Sequence, residues 1–200
     1  MSNASYWNTK WKSRSNEPAN NFAERVYKQV ANKSYKTILD VGCGNGRDSV
    51  YFANKGLKVT AVDFAGSGVK QLQSENKDIE CVLSDISRMQ FKSNSFDVIY
   101  AHLSLHYFDD KTTTKVFEDL YKMLKKGGSI FIKCKSVDDA LFGKGKKVGE
   151  NMYKDDHVRH FFSKEYMAEK LHNFTIIKIR KTSSVYHYYK SAFIEAVATK

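Results

Sequence analysis

Three carboxylates and three glycines are spaced so that together they could hold a nucleoside. Asp40, Asp63 and Asp85 each stand at or near the C-terminal end of a short apolar run, and Gly42, Gly44 and Gly46 alternate directly behind the first of them. Glycine lacks a Cβ, so this stretch can take positive φ and let a ligand approach the main chain. An acid at the end of a second strand is placed to accept two hydrogen bonds from a ribose diol, which is the role open to Asp63. A single acid at such a place is more often a turn or helix cap. Three in series beside a glycine loop favour ligand binding.

The elements that must position these groups alternate along the chain. An apolar strand at 37–41 runs into the glycine turn, and a helix from about 48 to 54 follows, closed by Gly56 as its C′ residue. A second strand, 58–64, ends in Asp63; a turn at 65–68 opens a helix carrying Val69 and Leu72; a third strand, 79–85, ends in Asp85. The fourth strand, 96–105, ends near His106 and Tyr107. Asp109 or Asp110 then caps a helix through Val116, Leu120 and Leu124 that stops at Gly127 and Gly128. A fifth strand at 129–135 precedes a long polar insertion, 136–162, with weak periodicity. Ser163 caps a last helix, and two strands at 175–181 and 191–199 close the chain as an antiparallel pair. Strands alternating with helices make this an α/β protein with a mainly parallel sheet and an antiparallel edge.

Glycine spacing separates the nucleotide classes. A dinucleotide fingerprint places its third glycine where this chain has Arg47, and no stretch matches the G-x-x-x-x-G-K-[ST] phosphate loop. The corner therefore suits a nucleoside without a pyrophosphate. The ordered set Asp40-Val-Gly-Cys-Gly-Asn-Gly, Val62-Asp-Phe, Leu83-Ser-Asp-Ile, Phe96-Asp-Val-Ile and Leu124-Lys-Lys-Gly-Gly resembles the motifs of the class I S-adenosylmethionine-dependent methyltransferases, over roughly residues 37–134. Within that family, Gly44-Asn-Gly-Arg-Asp-Ser behind an aromatic N-terminal segment looks closest to the small-molecule enzymes related to tellurite-resistance and thiopurine methyltransferases.

The resemblance implies a Rossmann-like, seven-stranded, mostly parallel sheet with helices on both faces and an antiparallel C-terminal strand. It also implies S-adenosylmethionine as cofactor and S-adenosylhomocysteine as product. Carried onto this sequence, Asp40, Gly42, Cys43 and Gly44 face the methionyl part and Asp63 takes the ribose hydroxyls. Phe64 packs on the adenine, Asp85 and the Ile86 N–H read its edge, and Ala101 and His102 border the methionyl group. The place after the fourth strand reads Ala-His-Leu-Ser-Leu-His-Tyr, so neither the [DN]-P-P-[YFW] motif of base N-methylation nor a Cys beside a Pro for cytosine C5 chemistry is present.

An activated methyl needs an in-line nucleophile more than an elaborate catalytic group, and a base only if the acceptor is a hydroxyl or an amine. His106, just past the fourth strand, is the expected base, although a half-buried histidine satisfied by backbone is an equal reading. Trp7, Trp11, Tyr107, Arg159 and His160 are the expected acceptor contacts. Tyr6, Trp7 and Trp11 recur at roughly helical spacing, so residues 5–35 form a helical cap that either docks on the body or covers the ligand. The 136–162 insertion is either a substrate-side lid, positioning an anion through Arg159, or a polar connection closing on the core through Phe161 and Phe162.

Two hundred residues with 42% hydrophobic content suit a single domain over 1–200, its first four residues resembling a cloning scar. The three cysteines, Cys43, Cys81 and Cys134, are scattered and support neither a disulfide framework nor a metal site. With no long apolar run and no signal-peptide core the chain reads as cytosolic, with no membrane partner. A net charge of +11 invites nucleic acid as a partner, yet the 27 Lys and 6 Arg are spread along the chain. The sequence thus points to a small-molecule methyltransferase. The other readings it leaves open are an RNA or protein methyltransferase using the basic surface, and a cofactor-binding module without catalysis. It does not fix the acceptor atom or the oligomeric state.

Overall fold

Seven strands line up in the order β3-β2-β1-β4-β5-β10-β9: β1 (Thr37–Val41), β2 (Lys58–Asp63), β3 (Glu80–Leu83), β4 (Phe96–His102), β5 (Leu124–Lys135), β9 (Thr175–Tyr186) and β10 (Tyr189–Thr199). The first five pair in parallel, and β10 runs antiparallel between β5 and β9. The order reverses at β1, so a crevice opens over the C-terminal ends of β1 and β4, where α/β sheets bind ligands. This computed structural model describes residues 4–12, 17–186 and 189–200. All but Ala4 of the suspected cloning scar lies outside them.

Period-two alternation divides the sheet between two cores. Leu39, Val41, Ile99 and Ala101 face α5 (Asp110–Met123) and α6 (Lys164–Lys170) through Val116, Phe117, Leu120 and Met167. Ile38, Val59, Val98 and Tyr100 face the other way, onto Phe22 and Val26 of α2 (Asn21–Val30), Phe52 of α3 (Arg47–Asn54) and Leu72 of α4 (Gly66–Glu75). The expected fold is present, with helices on both faces. Capping follows local chemistry: Asn20, Asp109 and Ser163 accept first-turn N–H bonds for α2, α5 and α6.

Three local expectations change. The α5 helix ends at Met123, and β5 starts at Leu124 with Gly127 at φ 78° inside it, so the glycine pair lies within the strand. The strand expected over 175–181 runs on to Tyr186, and the last strand starts two residues early, at Tyr189. The 136–162 insertion holds a separate antiparallel sheet of β6 (Lys146–Gly149), β7 (Met152–Lys154) and β8 (Val158–His160). Strands of three or four residues, rich in lysine and half exposed, are too short for a period-two pattern to register. The insertion is anchored by buried Phe161 and Phe162, and the Phe162 N–H donates to the Lys135 carbonyl at 2.8 Å.

Asp97, in the Phe96-Asp-Val-Ile stretch, is a structural clamp far from the crevice. It accepts from the Lys36 and Thr37 N–H groups, from Thr37 Oγ1 at 2.8 Å and from Lys125 Nζ at 3.0 Å. Despite the cost of desolvation, these bonds hold its carboxyl down at about 2. A depressed carboxylate pKa contributes stability above the unfolded value near 3.8 that is lost as pH falls toward 2. Asp97→Asn is expected to cost about 2 kcal/mol at neutral pH, with the deficit closing in that acid window; urea unfolding at several pH values measures it.

Candidate functional site

A cavity of about 550 Å³ lies over the strand ends, a size ordinary for small-molecule sites. Its floor is built by the motif residues Asp40, Gly42 and Cys43 behind β1, Asp63 and Phe64 at the end of β2, Asp85 and Ile86 beyond β3, and His102 at the end of β4. The main chain turns sharply after His102, where Leu103 sits at φ 57° and its N–H donates to the Lys133 carbonyl at 2.8 Å. This strained residue lines the cavity, as does Ser104, whose hydroxyl donates to the Val41 carbonyl at 2.5 Å.

The glycine loop is tied to the second acid. Asp63 accepts from the Gly44 N–H at 2.8 Å on one oxygen and from the Ala65 N–H at 2.8 Å on the other, while both oxygens keep a lone pair. Gly44 is at φ 60°, and a Cβ there would lie 2.6 Å from the Trp11 ring. A Cβ on Gly68 would run into the Gly44 carbonyl, so glycine at both places lets α4 and Trp11 close on the loop. Gly44 itself therefore shapes the cavity from behind without lining it.

Acids dominate the β1 side. Asp40 is 2% exposed and takes a 2.5 Å hydrogen bond from Ser49; burial, with the Asp48 and Asp63 carboxylates nearby, pushes it up to about 8. Asp48 is raised chiefly by burial; one oxygen is held by the Asn20 N–H at 3.0 Å, and the other by the Tyr100 hydroxyl at 2.8 Å and the Asn20 side-chain amide. Asp63 is likewise raised by burial. Asp85 spends one oxygen on the Ser87 N–H and hydroxyl, leaving the other toward the cavity. His102 stacks on both Phe22 and Tyr100, and burial, with Lys133, Arg47 and Arg25 nearby, drives its pKa down to about 3. It is neutral at physiological pH.

The roof comes from two segments distant in sequence. Trp7, Lys10 and Trp11 project from α1 (Ala4–Lys12), which is fastened to α4 by Asn8 through the Ser67 N–H at 2.9 Å and hydroxyl at 2.8 Å. The two indoles stack at 5.9 Å, and Lys10 Nζ lies 4.6 Å from the Trp7 ring. Val148, Met152, His157 and Val158 come down from the β6–β8 sheet, and Tyr107 rises from the short 3₁₀ turn Leu105–Tyr107 to meet Trp7 at 5.4 Å.

Several expected site residues stand elsewhere. His106, the expected base, is 1% exposed and absent from the cavity wall, because the 3₁₀ turn sends Tyr107 toward the cavity and His106 into the interior. Its Nδ1 has no partner, and burial, with Lys135 and Arg159 nearby, holds its pKa far below the usual histidine range. Ala101 is fully buried inside the sheet. Alternation along β8 sends Val158 into the cavity and Arg159 to the opposite face, where it bridges Asp156 at 2.9 Å. His160 is 3% exposed and packed on Tyr166, with Nδ1 3.3 Å from the Phe108 carbonyl. Asn20, Asp48, Tyr100, Ser104 and His157 line or brace the cavity without having been singled out. Asp48 alone left a sequence trace, as an acid in the first turn behind the glycine loop.

Among the described residues no group of His, Cys, Asp and Glu could hold a metal ion, and no helix is long and apolar enough to cross a membrane. The donor set suits a cationic nucleoside: buried acids beside a glycine cradle, a diol acceptor at Asp63 and an aromatic ring at Phe64.

Residues 38–128 match a family described as a methyltransferase domain. The malonyl-[acyl-carrier protein] O-methyltransferase of Enterobacter lignolyticus is 23% identical over 156 residues, which cover 78% of this chain and 61% of that protein. The chain thus spans about three fifths of that relative's length. Two solved structures share the fold. The 1,6-didemethyltoxoflavin-N1-methyltransferase of Burkholderia thailandensis, solved with S-adenosylhomocysteine, gives a TM-score of 0.71 at 20% identity, covering 90% of this chain and 76% of that one. TehB of Haemophilus influenzae gives 0.71 at 17%, covering 98% and 66%.

Proposed function

We propose that this chain is a class I S-adenosylmethionine-dependent methyltransferase and that it transfers a methyl group to a small molecule enclosed between α1 and the β6–β8 sheet. One observation carries the reading: two segments nearly 140 residues apart roof the same cavity whose floor holds the ordered motifs. A polymer acceptor calls for an open groove, whereas a roof on two sides suits a compact ligand.

Bound S-adenosylmethionine supplies a methyl group already activated on a sulfonium. The chain's own residues bind and orient. A cationic ligand is favoured on the β1 side because it draws the buried Asp40 carboxyl into its ionised form and is attracted by the neighbouring Asp48. Asp63 presents two acceptor oxygens to a ribose diol, Phe64 offers a ring face, and Asp85 with the Ile86 N–H offers an acceptor and a donor to an adenine edge. His102 and Ser104 border the path from the β1 side to the acceptor side. Tyr107 and Trp7 hold the acceptor in line, since positioning is the main task.

Calorimetry with S-adenosylmethionine and S-adenosylhomocysteine tests the core of this reading. Both ligands are expected to bind, and no heat at millimolar ligand would overturn it. Transfer of label from methyl-labelled S-adenosylmethionine into fractions of a small-metabolite extract then tests turnover; label found only in protein or RNA fractions would exclude the small acceptor.

A further inference from the structure

His157 stands in the cavity wall with its Nε2 unpartnered. The residue is 8% exposed, and neither ring nitrogen has a hydrogen-bond partner. Its Nδ1 lies 3.0 Å from Asp156 Oδ1, near enough for attraction but out of line for a hydrogen bond. That oxygen is fixed by the His157 N–H at 2.9 Å and by Arg159 Nη1 at 2.9 Å. Tyr6, Trp7 and Tyr107 surround the imidazole, with ring centroids at 5.1, 5.6 and 5.2 Å. Buried polar atoms are normally satisfied, and an exception beside a cavity points to a ligand that satisfies it.

We propose that His157, positioned by Asp156, accepts the proton of the acceptor's nucleophile, so that the acceptor reacts through a hydroxyl or an N–H and not through a thiolate. The proposal rests on the methyl-transfer reading and deepens it. A lone pair on the acceptor oxygen or nitrogen forms the bond to the methyl carbon. The carbon–sulfur bond breaks with its electron pair going to sulfur, and the O–H or N–H proton moves to Nε2. The imidazolium so formed keeps Nδ1–H toward the Asp156 carboxylate and later returns a proton to water. Both nitrogens are shielded from solvent and the Tyr6 and Trp7 side chains of α1 pack against the ring, so the acceptor reaches Nε2 as these side chains give way.

The charges around the ring keep it ready to accept a proton. Lys10 and Tyr6 face it from α1, Asp156 and Arg159 from the insertion, and His106 and Tyr107 from the 3₁₀ turn. Burial first, and then Arg159, lower its pKa, against which Asp156 works.

Both tryptophans of the chain line this cavity, and Trp7 touches His157, so indole emission reads the imidazole directly, because an imidazolium quenches an adjacent indole. As pH falls below neutrality, emission should drop with a midpoint below that of free histidine. His157→Gln should abolish the transition, Asp156→Asn should move it lower, and Asp156→Glu should restore it. In parallel, His157→Gln should cut label transfer into the acceptor fraction by about 100-fold or more while leaving S-adenosylhomocysteine affinity unchanged, which also reports that the variant is folded. Emission that stays constant down to acid unfolding, a His157→Gln variant that titrates like the wild type, or undiminished label transfer overturns the assignment. Failure of the wild type to bind S-adenosylhomocysteine would instead sink the methyltransferase reading itself.

Discussion

Asp63→Ala is expected to weaken S-adenosylhomocysteine binding by about 30- to 150-fold, the equivalent of about 2–3 kcal/mol for two lost ribose hydrogen bonds. The residue acts twice. Its cavity side offers the diol two acceptors, while the same oxygens hold the Gly44 and Ala65 N–H groups at 2.8 Å. Alanine leaves both N–H groups unpaired at a site only 6% exposed in the native chain, so the glycine loop loosens and the loss should reach the upper end of the range. The removal of a buried acid whose pKa is raised offsets part of the cost to folding. Asp63→Asn is intermediate in both roles: its one amide oxygen can serve either the Gly44 or the Ala65 N–H, while the amide nitrogen faces the other donor and cannot accept from a hydroxyl. Its affinity and its stability should both fall between those of wild type and alanine. Calorimetric affinity and urea midpoints for the two variants measure this, and an unchanged affinity in Asp63→Ala would remove Asp63 from the ligand.

The β1 side of the candidate site was legible in sequence because each of its residues lies at or just past the end of a strand marked by an apolar run. A ligand floor made of strand ends inherits the strands' period, so Asp40, Asp63, Asp85 and His102 could be placed by counting. The acceptor side has no such ruler. Whether His106 or Tyr107 faces the cavity depends on one 3₁₀ turn, in which His106 takes a non-helical φ of −96° and ψ of 26°. Which of Val158, Arg159 and His160 faces the cavity depends on a three-residue strand whose register is set by pairing with β7, and His157 lies in the loop before it, so no local pattern encodes the choice. Asn20 and Tyr100 join Asp48 from 28 and 52 residues away, so that bracing network had no spacing to betray it.

Asp40 gives the site a pH dependence of a definite sign. Its carboxyl, raised to about 8, is mostly protonated at neutral pH in the free protein. A sulfonium and an ammonium arriving beside it favour the ionised form, so binding S-adenosylmethionine near pH 7 should release close to one proton, and affinity should rise with pH up to about 8. S-adenosylhomocysteine lacks the sulfonium charge and should show a weaker rise. Calorimetry in two buffers of different ionisation enthalpy counts the protons. Asp40→Asn should abolish the release, leaving only the titration of the ligand's own amino group. Stability should move the other way. A carboxyl raised from 3.8 to about 8 on folding contributes its full stability below 3.8 and loses it as pH rises through that window, because only the unfolded chain ionises there. Asp40→Asn should therefore match the wild type near pH 4 and exceed it at pH 7 by up to about 4 kcal/mol, while binding S-adenosylmethionine less tightly at pH 8. A variant that loses stability at pH 7 would show that Asp40 is ionised in the free protein with its buried charge compensated within the fold, and one that gains affinity at pH 8 would remove Asp40 from the ligand.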